Sequence, residues 1–80
     1  METGVVRMKN KDRVAVETDH GYAVLDIQDG DVDIGDIITG HLNDHGSETV
    51  TNSTRKQTLS VYIEAIQTTR ESAQSLLAHT

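Results

Sequence analysis

"DGDVDIGDII", residues 29–38, decides the fold, because it admits two readings that need different neighbours. Asp29, Asp31 and Asp33 alternate as the first three ligands of a calcium loop do, and hard cations favour such carboxylate oxygens. The helix-loop-helix form of that loop needs glycine at its sixth position and glutamate at its twelfth. Here those positions hold Ile34 and Gly40, and the flanking segments alternate with period two rather than three to four. The stretch therefore reads as an acidic, solvated turn that leads into a strand from Ile37. Asp29, Asp31 and Asp33 remain the candidate metal ligands.

Outward from that turn, period-two alternation runs from Gly4 to Ile66. "RVAVET" sets Val14 and Val16 opposite Arg13, Ala15 and Glu17. "GYAVLDI" sets Ala23, Leu25 and Ile27 opposite Tyr22, Val24 and Asp26. The clearest strand is "LSVYIEAI", with Leu59, Val61, Ile63 and Ala65 on one face and Ser60, Tyr62 and Glu64 on the other. "GVVRM", "DIITGHL" and "SETVTN" complete a set of about six strands, at the spacing of small barrels and sandwiches. The adjacent aliphatics Val5–Val6 and Ile37–Ile38 cannot all face inward under strict alternation, which predicts an interface, a bulge or a strand buried on both faces.

The tripeptide "DHG" occurs at Asp19–Gly21 and again at Asp44–Gly46. Glycine supplies positive φ and aspartate bonds nearby backbone, so both read as hairpin tips. "KNKDR" and "TRKQT" are two further tips, both basic. Beyond Ile66 the period changes: Thr68 and Glu71 have capping-box spacing, and Ala73, Leu76 and Leu77 form an i, i+3, i+4 stripe. The expected molecule is all-β, a small antiparallel barrel of five to six strands over residues 4–67. A C-terminal α-helix over residues 68–78 is expected to lie across an open end of the barrel, and residues 1–80 form one domain.

Composition narrows the function. Eighty residues with 35% hydrophobic content support one core. Its material is branched aliphatic, since the aromatics are Tyr22 and Tyr62 alone. Cysteine is absent, which excludes disulfides, thiolate metal sites and thiol nucleophiles. No stretch approaches the roughly 20 apolar residues of a membrane-spanning helix, and no signal-peptide pattern opens the chain. A cytoplasmic, soluble protein without membrane contact is expected. "NST" at Asn52–Thr54 matches a glycosylation sequon that such a setting leaves unused.

The formal charge is −6 and unevenly spread. Residues 1–13 hold Arg7, Lys9, Lys11 and Arg13 against Glu2 and Asp12, whereas residues 14–54 hold nine acids and neither lysine nor arginine. Arg55 and Lys56 follow immediately. An acidic middle repels phosphate backbones, so nucleic-acid binding requires a local basic patch. His20, His41 and His45, with Asp19 and Asp44, are a second set of metal-ligand candidates, but on strands and tips their spacing does not place them on one face. No serine sits in a nucleophile turn and no glycine loop precedes a helix and a lysine, so catalysis is not expected.

The order strand, basic tip, strand, hairpin, strand, then Ile34, Gly35, Asp36 and the strand from Ile37, resembles small barrels of the oligonucleotide/oligosaccharide-binding type. The whole chain is similar to small uncharacterised bacterial proteins of this length. The resemblance implies a barrel that binds through its surface, and no cofactor. Single-stranded nucleic acid would be met by Arg7, Lys9, Lys11, Arg13, Arg55 and Lys56, with Tyr22 or Tyr62 as stacking platforms. The expectation is a non-catalytic binding module, monomer or homodimer, that engages a protein partner through an edge strand or aliphatic patch. Weak single-stranded nucleic-acid binding through the basic loops is the alternative.

Overall fold

The computed structural model describes residues 1–79. Six strands, β1 Glu2–Asn10, β2 Arg13–Thr18, β3 Gly21–Asp29, β4 Ile37–Gly40, β5 Gly46–Asn52 and β6 Gln57–Thr68, precede one helix, α1 Arg70–Ala78. All pairings are antiparallel, and the strands close in the order β1-β2-β3-β6-β5-β4. Two three-strand meanders thus join through β3–β6 and β4–β1. Closure leaves little free edge for strand addition. The thinnest join is β4–β5, where only Ile38–Asn52 and Thr39–Thr51 pair.

Alternation sorts most side chains as expected. Val6, Val14, Val16, Leu25, Ile38, Leu59 and Ile63 are fully buried inside the barrel. The doubled aliphatics divide: Val6 and Ile38 point in, while Val5 is half-buried outside and Ile37 is 41% exposed. Four register breaks interrupt the ladders, and three of them, in β1 and β6, override the alternation. In β1 the register slips between Val6 and Met8, so the bulge at Arg7 sends Met8 outward although Val6 points inward. In β6 an extra residue at Glu64 turns Ala65 outward, against expectation, and Ile66 packs inward instead. The third break carries a positive φ at Gln67 and turns the chain toward the helix.

Those outward residues explain the helix, which covers the outer wall and not a barrel end. Ala73 and Leu77 are buried against Ala15 and Val24 of β2 and β3, with Met8, Tyr22, Ala65 and Leu76 around them. Ala15 and Val24 are apolar on the outer face, and burying that stripe gives the helix its site. The cap also sits one residue later than expected: Thr69 accepts from the Ser72 backbone N–H, while the Thr68 hydroxyl donates to the Tyr22 carbonyl. At the far end the Leu76 and Leu77 carbonyls accept from Arg13 and Asn10 side chains.

The barrel ends are closed by loops. Val32, from the loop 30–36, plugs the end that carries the Lys11–Asp12 tip and the turn 53–56. Leu42, from the loop 41–45, plugs the opposite end beside the Asp19–His20 tip.

Candidate functional site

The end plugged by Val32 gathers most of the chemically distinctive side chains. The bulge in β1 rotates Lys9 onto the inward parity of its partner Val14, so its amine reaches over the mouth and donates to the Val32 carbonyl at 2.8 Å. Lys11 forms the adjoining tip at φ 57°, and Lys56 forms the facing tip at φ 54°. Such left-handed backbone at a lysine is uncommon and marks a turn imposed by the strands on either side. Lys9, Lys11 and Lys56 have no carboxylate within ion-pair distance among the described residues. Between the β1–β2 tip and the acidic loop lies a cavity of about 210 Å³. Its cations are Lys9, Lys11 and Arg55 and its acids Asp12, Asp31 and Asp33, with half-buried Ile27 beside them and Val14 and Val32 buried beneath.

The acidic stretch is fixed here by a buried polar knot. Asp36 is 6% exposed, and its Oδ2 accepts from Asn52 Nδ2 at 2.8 Å, Arg55 Nε at 2.9 Å and the Asp33 N–H at 3.0 Å. Asn52, fully buried, also donates to the Asp31 carbonyl and accepts from the Arg55 N–H. Burial pushes the Asp36 carboxyl up, but the bonds from Asn52, Asp33 and Arg55 together outweigh it and hold the group below the usual carboxylate range. Within the stretch, Asp33–Asp36 forms a turn closed by the Asp36 N–H on the Asp33 carbonyl, with Gly35 at φ 95° as a type II turn requires. The Gly35 N–H donates to the Val6 carbonyl and the Val6 N–H to the Asp36 carbonyl, locking the turn to β1. Ile34, at a corner of that turn, is 60% exposed, and Ile37, three residues on, pairs with Val5 across β4 and β1.

The predicted nucleic-acid residues divide into two groups. Lys9, Lys11, Arg55 and Lys56 share one end of the barrel. Arg7 lies on the wall, paired with Glu17 at 2.9 Å. Arg13 also lies on the wall, engaged with both Asp26 oxygens; the Asp26 bond raises its pKa, and the Arg13 bond in turn lowers that of Asp26. Tyr22 sits half-buried under the helix near the opposite end, so it offers no open ring to a base. Tyr62 is 41% exposed on the wall, but its cross-strand neighbours are Asp26 and Ser47. Neither ring lies beside the lysines, and five acids, Asp12, Asp29, Asp31, Asp33 and Asp36, lie in or beside the lysine end.

The metal candidates are likewise dispersed. Asp33 turns its Oδ1 to the Ile34 N–H and its Oδ2 toward Arg55, so it is not free to join Asp29 and Asp31 around an ion. Among the described residues no group of three His, Asp or Glu side chains is placed to hold a metal. His20, His41 and His45 all belong to the opposite end. The residues that sequence reading missed are Asn52 and Ile34. Asn52 occupies an inward position two residues after buried Val50, and a polar side chain at an apolar register position is the signal that could have marked it.

The fold and site define a small closed antiparallel barrel, consistent with an oligonucleotide-binding-like module, with a charged mouth of mixed sign. Compared with known proteins, the chain matches no family model, no curated protein and no solved structure.

Proposed function

We propose that the chain is a non-catalytic binding module that engages a protein partner through Ile34, Ile37 and Val5. The observation that carries this reading is Ile34, a large aliphatic side chain held 60% exposed by a turn whose backbone is bonded on both sides. Scattered apolar residues on a surface need no explanation, but an exposed aliphatic on a backbone-bonded turn resembles the preorganised anchor of an interface. A photo-crosslinking residue at position 34 tests it, with the same residue at Thr49 as control. Capture of one defined protein from the native host at 34, absent at 49 and lost with Ile37→Asp, supports the proposal. Equal capture at both positions, or none at 34, removes it.

A second reading, weak single-stranded nucleic-acid binding, is favoured by one observation: the two basic tips share an end of the barrel. Fluorescence anisotropy at low salt discriminates. Binding of single-stranded DNA or RNA that falls steeply with salt and weakens in Lys11→Gln/Lys56→Gln supports it; a flat titration ends it.

A further inference from the structure

Closure of the barrel leaves a stretch of β5 without a neighbour. β5 pairs with β6 in unbroken register at all 7 of its residues, but β4 covers only Thr51 and Asn52. Thr51 faces Thr39, and the Ser53 N–H donates to the Ile37 carbonyl, so the odd-numbered residues of this strand turn their N–H and C=O groups toward β4. Thr49 and Ser47, the next odd positions, turn theirs the same way, past the point where β4 ends at Gly40. The loop 41–45 does not take the empty place. Leu42 turns into the barrel end, and Asn43 reaches across the mouth to accept from the Gln67 side chain at 3.1 Å. Among the described residues neither Ser47 nor Thr49 has a backbone partner on that side, and both are exposed. Natural edges are usually blunted by lysine, proline or a bulge. Residues 46–50 carry none of the three.

We propose that this edge pairs with the same edge of a second copy, joining two barrels by an antiparallel β5–β5 ladder about a two-fold axis. The residues of the edge select the register. Centred on Glu48, the ladder would set two carboxylates directly opposite one another, which is destabilising. Centred on Ser47, it sets Ser47 opposite itself, Thr49 opposite His45 and Glu48 opposite Gly46, so each carboxylate meets a residue without a side chain. The backbone groups of Ser47 and Thr49 then bond across the axis, and no like charges face each other directly. A ladder this short belongs to the weak class of interface, below about 1,200 Å².

Sedimentation velocity on the full chain reads the assembly, at concentrations up to about 1 mM and in about 0.15 M salt to screen the charge between copies. The expected result is a monomer–dimer equilibrium in which the Ser47 and Thr49 amides gain protection from hydrogen exchange as the dimer forms. Ser47→Lys sets two ammonium groups opposite each other at the axis and should weaken the dimer about tenfold. Thr49→Pro removes an edge N–H that β6 does not use and should weaken it likewise. Both variants must keep the wild-type shifts of Leu25 and Leu77, which report the core and the docked helix. Ser47→Lys, at an exposed position, carries the test if the proline variant does not fold. A chain that stays monomeric at the highest concentration overturns the proposal, as does a dimer equally strong in Ser47→Lys or one that protects neither Ser47 nor Thr49. The outcome is independent of the contact at Ile34, since a copy of the chain crosslinked at position 49 is told from a host protein by its mass.

Discussion

Asp36 gathers three donors on one carboxylate oxygen, so removing it strands several polar groups at once. Asp36→Ala should destabilise the fold by about 3 kcal/mol in urea unfolding, because buried Asn52 is left without its charged partner and the half-exposed Arg55 loses its anchor. The same carboxylate makes stability depend on acid. Its folded-state pKa lies below the usual range, so the unfolded chain binds the proton first. The contribution is complete above the ordinary carboxylate pKa and is lost as pH falls through the folded value. Asp36→Asn should flatten the acid limb of a stability-against-pH curve, leaving the part that Asp26 supplies through Arg13. Gly4 is constrained in another way: a Cβ there would come within 2.5 Å of Val16 Cγ1 and 2.6 Å of the Glu17 carbonyl. Gly4→Ala should cost about 1–3 kcal/mol through overpacking, read as a lowered melting temperature. Neither role was legible from the chain alone. Asp36 is one of several aspartates in its stretch, and the Asn52 that distinguishes it lies 16 residues away.

The helix is bound by few residues, and they are unequal. Leu77 is 5% exposed whereas Leu76 is only half-buried. Leu77→Ala should therefore destabilise by about 2–4 kcal/mol and Leu76→Ala by clearly less, both measured by chemical denaturation. Equal losses would mean that the helix docks through a different face. The existence of all six strands and of the helix was readable because alternation and the i, i+3, i+4 stripe are local signals. Beyond a bulge as one option at the doubled aliphatics, the bulges and their positions were not, since an inserted residue leaves the composition of a strand unchanged and shows only against its partner. That is why Ala65 and Met8 changed sides, and why the helix found its seat on the wall over Ala15 and Val24.

At the scale of the whole barrel, cohesion is uneven around the circumference. β3 and β6 pair along most of their lengths, while β4 contributes four residues and meets β5 at two positions. Native-state hydrogen exchange should open β4–β5 first, with Ile38 and Thr39 amides less protected than Leu25 and Ile63 amides. Uniform protection would mean the barrel opens only as one unit. The candidate mouth was half legible: the basic tips were visible as turns, but only closure of the barrel shows that they share an end with the acidic loop. Closure is set by pairings between distant strands, which no window of sequence contains. The burial of Asn52 carries one more consequence. Its side chain, inside the "NST" tripeptide, is already engaged by Asp31 and Asp36 in the folded barrel. In a secretory host, sugar transfer to that amide is confined to the interval before β5 joins β6, and a glycan added then keeps the strand from closing. Occupancy of that single site would work as a clock, recording how fast each newly made chain folds against how fast the transferase reaches it.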